Sequence, residues 1–177
     1  MIAMTKTLWD HPRRVWLALS AFSAGLLAFG LYLQHVVGLE PCPMCIVQRY
    51  ALVLIGLVGL LGACSPGRLV AWIIGLWLLG LSAGGAYVAA RQSWLQWHPP
   101  EVVSCGRDFY GMIETFPLKQ ALPMIFRGGG DCSAVDWTLL GGSIANWSFV
   151  CFVLMALCVV ATLWRHRHWP RPEFTTA

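Results

Sequence analysis

Four apolar stretches, each about long enough to cross a membrane, constrain the fold of this chain more than any other feature. They cover residues 15–34, 46–64, 69–90 and 144–164. About 20 apolar residues in a helix cross a hydrocarbon core, where an open sheet could not satisfy its own backbone hydrogen bonds. Only 11% of the 177 residues are charged, against roughly 25% in soluble domains. The sequence therefore predicts an all-α membrane protein, a four-transmembrane-helix up-down bundle in the lipid bilayer.

Basic residues predict the orientation of this bundle. Seven of the twelve lysines and arginines flank the termini or the short 65–68 turn, namely Lys6, Arg13, Arg14, Arg68, Arg165, Arg167 and Arg171. The positive-inside rule then places both termini in the cytoplasm and two loops, about 35–45 and 91–143, on the other side. The net charge of +4 reports this topology, and we expect no nucleic-acid partner.

Length and spacing predict a single membrane domain, 1–177, without internal repeats. The first apolar stretch is too long for a signal-peptide core and lacks a clear cleavage site, so we expect it to remain as a span. Two pairs of small residues, Gly59 with Ala63 and Gly80 with Gly84, predict places where helix backbones approach closely.

Four of the seven cysteines fall on the predicted non-cytosolic side, where disulfides persist. They are Cys42, Cys45, Cys105 and Cys132. The wide spacing of the second pair suits a structural staple, which could contribute roughly 3–4 kcal/mol in the chain-entropy model. A Cys-x-x-Cys pair closes too small a loop for that purpose and is typical of redox exchange or metal binding. A zinc site with two ligands from each loop is the metal alternative.

The sequence around the first pair indicates a reactive thiol. Pro41 and Pro43 disfavour helix before and within the motif, so the second helix should begin near Met44 or Cys45. Cys45 would then lie at a helix N-terminus, where exposed N–H groups favour a thiolate. Arg49 follows one turn later on the same face. An arginine inside a span is costly and indicates function, although it could also snorkel to the surface.

The second loop combines interfacial and flexible sequence. Residues 109–126 mix aromatic and aliphatic side chains with prolines, which predicts short helical segments lying on the membrane. The three glycines at 128–130 precede Cys132 and permit large backbone excursions. A thiol that changes partners needs such freedom, whereas a staple does not.

Taken together, these residues resemble the bacterial disulfide bond formation protein B (DsbB) family. The resemblance covers nearly the whole chain: four spans, "PCPMCIVQR" at 41–49, Cys105, "GGGDC" at 128–132, and Trp137 downstream. It implies an inner-membrane thiol-disulfide:quinone oxidoreductase, with periplasmic redox loops, that reoxidises a DsbA-like thiol oxidase. It also implies a role in protein folding of the kind assigned to chaperones, because disulfides are formed in client proteins.

The resemblance further implies the order of the chemistry. The partner attacks the Cys105–Cys132 disulfide at Cys105, Cys132 then attacks Cys42, and Cys45 is left as a thiolate. Cys45 passes electrons to a bound quinone, ubiquinone or menaquinone, and Arg49 stabilises both the thiolate and the reduced quinone. The electrons thus enter the membrane quinone pool and pass onward to the respiratory chain.

The chain departs from the family pattern near the outer end of the third span. Familiar members carry a histidine there, whereas this chain has Gln92. A glutamine can hydrogen-bond a quinone carbonyl, but it cannot titrate. The resemblance therefore implies that Gln92 contacts the quinone as a hydrogen-bonding side chain that, unlike histidine, carries no titratable proton.

Two other functions remain open from the sequence. A vitamin K epoxide reductase-type enzyme also joins four helices, a Cys-x-x-Cys and a quinone, but it normally places the pair late in the chain. A non-enzymatic membrane scaffold, stapled or zinc-binding, would leave Arg49 and the glycines at 128–130 without a role. Metal content and quinone-dependent thiol oxidation distinguish these functions.

We predict that the three remaining cysteines are dispensable, because each is expected to be a small apolar side chain packed among the helices. They are Cys64, Cys151 and Cys158. Replacing all three by alanine should change the rate of partner oxidation by no more than a few-fold. A larger loss in protein that still inserts normally would show that four thiols do not account for the activity.

Overall fold

The computed structural model describes residues 12–65, 67–99, 135 and 137–167. Within them lie four long helices and one short hairpin. The helices are α1 (Pro12–His35), α2 (Pro43–Cys64), α3 (Arg68–Trp97) and α4 (Ile144–Arg167), and the hairpin strands are β1 (Thr138–Leu139) and β2 (Gly142–Ser143). The segment expected to form interfacial helices, 109–126, and the glycines at 128–130 lie outside the described residues.

All four helices are long and apolar enough to cross a membrane. The prediction of an all-α bundle with four spans is therefore confirmed, and the chain is a multi-pass membrane protein. Each helix packs extensively against the next one along the chain, whereas α1 and α4 touch over a much smaller area. The bundle core is built from large apolar side chains such as Trp16, Ile55, Leu78 and Phe152.

Two helices extend beyond their predicted bounds at the end of the bundle that carries Cys42 and Cys45. Helix α2 begins at Pro43, with Cys42 as its N-cap, rather than at Met44 or Cys45. Proline is well suited to the first helical position, because its missing N–H would have no partner there. Helix α3 continues past the predicted end at residue 90 and stops at Trp97, just before the prolines that cannot continue it. This extension places Gln92 in a helix instead of a loop.

The hairpin lies directly before α4. Thr138 pairs with Ser143 and Leu139 with Gly142. Leu140 and Gly141 form the tip, and both have positive φ, as hairpin turns of the primed types require. The Trp147 indole donates a hydrogen bond to the Leu139 carbonyl at 2.9 Å, which ties the hairpin to the first turn of α4.

Close helix contacts occur at some of the predicted glycines and not at others. A Cβ at Gly59 would collide with the Ser20 hydroxyl and crowd the Trp16 carbonyl, so the prediction for this position is confirmed. Gly80 and Gly84 face open space, and the prediction for them is wrong. On α3 it is the neighbouring Gly85 that packs against α4, because it lies on the face turned to the Phe152 ring.

We predict that Gly85→Ala destabilises the bundle whereas Gly84→Ala does not. The added methyl at Gly85 would overlap the ring of Phe152, which is only 1% exposed, and overpacking of this kind costs about 1–3 kcal/mol. The same methyl at Gly84 meets no atom within 4 Å. Thermal unfolding in detergent should show a lower stability for Gly85→Ala than for Gly84→Ala. Equal stabilities would contradict the α3–α4 packing described above.

Candidate functional site

The Cys-Pro-Met-Cys turn brings two sulfur atoms together at the start of α2. Cys42 has extended backbone angles, φ −65 and ψ 159, and its Sγ accepts a hydrogen bond from the backbone N–H of Cys45 at 3.3 Å. The two Sγ atoms lie 2.7 Å apart. A disulfide bond is about 2.05 Å long, so a small side-chain movement suffices to form one. The pair can therefore pass between dithiol and disulfide without moving the helix.

The two thiols differ in what they face. Cys42 is buried and Cys45 is half-buried, while Met44 between them fills the protein interior. A small cavity of about 50 Å³ touches both cysteines. Cys45 also lines a larger neighbouring cavity, which Cys42 does not line. Of the two thiols, Cys45 is thus the one placed to react with a molecule in the larger cavity.

Two buried glutamines lie behind the thiols. The Gln92 Nε2 is 3.3 Å from the Sγ of Cys42 and 3.3 Å from the Sγ of Cys45. The Gln92 Oε1 accepts a hydrogen bond from the Gln48 Nε2 at 2.8 Å. Both side chains are at most 5% exposed. The Gln48–Gln92 hydrogen bond thereby joins α2 to α3, and Gln92 contacts both sulfurs.

Arg49 is held by α1. Its Nη1 donates to the Gln34 Oε1, and its Nη2 donates to the Gly30 carbonyl at 3.1 Å. The side chain is half-buried, so the guanidinium bridges two helices within the bundle rather than reaching straight to the surface. Since Gly30 and Gln34 are one helical turn apart, a single face of α1 supplies both acceptors. Arg49 therefore has a fixed position beside the Cys45 turn.

The larger cavity, of about 280 Å³, lies between α1, α2, α4 and the hairpin. Most of its wall is apolar, and it includes the aromatic side chains of Phe29, Trp137 and Trp147. The Phe29 and Trp137 rings meet edge to face, with centroids 6.0 Å apart. Cys45, Gln48 and Arg49 supply polar groups from α2. An apolar cleft with a few convergent polar groups is the usual form of a small-molecule site.

The structure places the predicted site residues as follows. Cys42, Cys45 and Gln92 are in mutual contact, and Arg49 shares the larger cavity with Cys45. Gln92 lines the small cavity, so its predicted contact with a quinone stays a prediction. Cys105 and Cys132 lie outside the described residues. Within the described part of the chain, no three His, Cys, Asp or Glu side chains are grouped as a metal site would need.

Sequence reasoning missed several residues of this site. Gln34, Gln48, Trp137 and Cys151 all line the larger cavity. A signal was present for Gln48, because an amide within an apolar helix needs an internal partner and this one lies three residues after Cys45. No comparable signal marks Cys151, which is one apolar-type residue among many in α4. Of the other two span cysteines, Cys158 packs against the core. Cys64 is exposed, because it is the last residue of α2, so the expectation that it packs among the helices is wrong.

Comparison with known proteins places this geometry in a family context. Residues 12–162 match the family model described as "Disulfide bond formation protein DsbB". A protein from Albidiferax ferrireducens, named disulfide bond formation protein B, is 66% identical over 164 residues, which cover 92% of this chain and 93% of the relative. Proteins of the same name from Polaromonas naphthalenivorans and Azoarcus sp. are 64% and 55% identical. These matches cover 93% and 94% of this chain, and 100% and 99% of the relatives.

Proposed function

Because the chain belongs to the disulfide bond formation protein DsbB family, we propose that it reoxidises a DsbA-like thiol oxidase and passes the electrons to a membrane quinone. Family membership makes it an oxidoreductase that forms disulfide bonds, and thereby selects this function over a vitamin K epoxide reductase-type enzyme or a passive scaffold. The DsbA-like partner and the quinone acceptor are proposed in addition to this activity.

One observation carries the quinone assignment: Cys45 and Arg49 line the same apolar cavity. The residues present fit the group, since a flat, apolar ring with two carbonyl oxygens matches aromatic walls and hydrogen-bond donors on one helix. Arg49 and Gln48 are the side chains that would hold a carbonyl oxygen, and Phe29, Trp137 and Trp147 would flank the ring. A bound quinone supplies an acceptor for two electrons and two protons.

The proposed relay begins in the second outer loop. A thiolate of the reduced partner attacks Cys105, breaks the Cys105–Cys132 disulfide and leaves Cys132 as a thiolate. Cys132 then attacks Cys42, a Cys42–Cys132 bond forms, and the Cys42–Cys45 bond breaks. Cys45 carries away the electron pair as a thiolate. The second thiol of the partner attacks the partner's sulfur in the mixed disulfide, so the partner leaves oxidised and Cys105 is released as a thiolate. Cys105 then attacks Cys132, which re-forms the Cys105–Cys132 disulfide and releases Cys42. The cycle closes when Cys42 and Cys45 re-form their disulfide, and the two electrons released in that step would pass to a bound quinone.

The residues of α2 then act on the Cys45 thiolate. Its position in the first helical turn favours negative charge, and the Arg49 guanidinium lies one turn further along. The Gln34 and Gly30 acceptors on α1 hold that guanidinium in place. Little further side-chain conformational entropy is therefore lost when its charge acts on the thiolate. We propose that Arg49 stabilises both the thiolate and the negative charge that develops on the acceptor.

This function requires a defined orientation in the cell. We propose that the protein lies in the bacterial inner membrane, with both termini in the cytoplasm and both redox loops in the periplasm. A DsbA-type partner has a reduction potential near −120 mV. Only an acceptor of higher potential can drive its reoxidation, which a respiratory quinone provides. Either ubiquinone or menaquinone would serve, and clients of the partner gain disulfides that help them fold.

The direct test mixes purified protein with a reduced DsbA-like partner and one quinone at a time. Quinone reduction should match partner oxidation mole for mole, and it should cease when any of the four outer cysteines is replaced. Partner oxidation that proceeds in full without quinone would contradict the proposal. The ratio of rates with ubiquinone and menaquinone would identify the preferred acceptor.

We predict that Arg49→Ala raises the KM for quinone by about tenfold or more, because a charged hydrogen bond contributes roughly 1.5–3 kcal/mol. Attack of the partner on Cys105 should persist, since that step involves the second loop. The KM of Arg49→Lys for quinone should lie between those of the unaltered protein and Arg49→Ala, because lysine retains the charge and lacks the paired donors. Steady-state kinetics and trapping of the mixed disulfide would measure the two steps. Unchanged quinone kinetics with poor membrane insertion would make Arg49 a topology anchor instead.

We also predict that filling the larger cavity blocks the quinone step alone. Cys151 lines this cavity, so Cys151→Trp should raise the quinone KM strongly, while Cys151→Ala should be mild. Val150 is adjacent on α4 and 42% exposed on the outer face of the bundle, so Val150→Trp is the matched control. If both tryptophan variants behave alike, this cavity is not where quinone binds.

A further inference from the structure

The Gln92 carboxamide faces both sulfurs with the same nitrogen. Its Nε2 carries two N–H groups, and the distances to the Sγ atoms of Cys42 and Cys45 are equal at 3.3 Å. One N–H can therefore point at each sulfur. Thiolates accept such hydrogen bonds far better than disulfide sulfurs do. This side chain is thus placed to favour the state in which the pair is open and one sulfur is charged.

A carboxamide can be turned over, and the two orientations have opposite effects. If the Gln92 oxygen faced the sulfurs, its partial negative charge would oppose a thiolate. The Gln48 Nε2 donates to that oxygen at 2.8 Å and holds it away from the sulfurs. Both glutamines are buried, and a hydrogen bond is electrostatically stronger in a protein interior than in water. With Gln48 donating in this way, the NH₂ end of Gln92 is the end that the cysteines meet.

We propose that Gln48 and Gln92 form a positioning pair, in which Gln48 fixes the Gln92 carboxamide so that its NH₂ group stabilises the Cys45 thiolate as the Cys42–Cys45 disulfide opens. The inference rests on the proposed function only in taking these cysteines as a redox pair. Gln92 acts on the sulfurs directly, and Gln48 acts through Gln92. Gln48 also lines the larger cavity, so the pair links the thiols to the wall of that cavity.

The step affected is a thiol–disulfide exchange. An incoming thiolate attacks the Sγ of Cys42, a new S–S bond forms, and the Cys42–Cys45 bond breaks with its electron pair going to Cys45. No net oxidation occurs, and the negative charge moves from the attacking sulfur to Cys45. Since a better stabilised leaving thiolate departs faster, Gln92 should affect both the rate of opening and the equilibrium between disulfide and dithiol.

The test uses the full chain with only one cysteine pair, so that neither quinone nor partner is needed. Alanine replaces the other cysteines, which are Cys64, Cys105, Cys132, Cys151 and Cys158. Quinone-depleted protein in detergent is equilibrated with reduced and oxidised dithiothreitol, and alkylation followed by mass measurement gives the reduced fraction. The rate at which glutathione opens the disulfide is measured separately.

We expect Gln92→Leu to shift the equilibrium about tenfold toward the disulfide, which corresponds to about 30 mV for a two-electron couple. Opening by glutathione should slow several-fold. Gln48→Leu should shift both quantities in the same direction by a smaller factor. Because Gln48 acts through Gln92, adding Gln48→Leu to Gln92→Leu should produce no further change beyond about twofold.

The controls separate positioning from packing. Ser93 is buried beside Gln92 on α3, and its hydroxyl has no hydrogen-bond partner in the part of the chain that the structure describes. Ser93→Ala should therefore leave both quantities unchanged. If Gln92→Leu does not fold, Gln92→Met removes the same donors with a more adaptable side chain. Shifts within twofold for the Gln92 variant, no effect of Gln48→Leu, or additive effects in the double variant would each overturn the proposal.

Discussion

A polar side chain inside a membrane bundle must find its partner within the protein, because hydrocarbon offers none. The half of the bundle that carries Cys42 and Cys45 is organised by that requirement. Arg49 is accommodated because α1 presents the Gln34 side chain and the Gly30 carbonyl to it. Gln48 donates a hydrogen bond to Gln92, and the Gln92 amide nitrogen faces the two sulfurs. The same hydrogen bonds that make these groups tolerable also fix their direction, which is what a reactive site requires.

Helix packing determines where the cavity can form. Close contacts at Gly59 bring α2 against α1, and those at Gly85 bring α3 against α4. By contrast, α1 and α4 meet over a small area, and the larger cavity opens between them at the end where α2 begins. The hairpin before α4 is anchored there by the Trp147 indole. A cavity in this position lies between two loosely packed helices and borders the turn that carries Cys45.

The two cysteines of the first turn of α2 have different surroundings, which suits different steps of the proposed chemistry. Cys42 is buried and faces the small cavity, whereas Cys45 also lines the large one. An exchange that attacks Cys42 and releases Cys45 would therefore move negative charge from the attacking sulfur to Cys45, at the wall of the larger cavity. Arg49 and the start of α2 lie where that charge would arrive. The buried polar atoms without partners in the described residues, Trp16 Nε1, Ser82 Oγ and Ser93 Oγ, do not take part in this arrangement.

Much of this protein follows from its sequence, since length and apolarity predict the number of spans and the prolines place the start of α2 to within one or two residues. The motif at 41–49 identifies the thiols and the arginine, because Cys-x-x-Cys and an intramembrane charge are local signals. The sequence could not distinguish Gly84 from Gly85, because which glycine faces α4 depends on the rotation of α3. Nor could it pair Gln48 with Gln92, or bring Cys151 to the cavity of Cys45. Those relations join residues of different helices, and only the packing of the bundle decides which side chains of two helices meet.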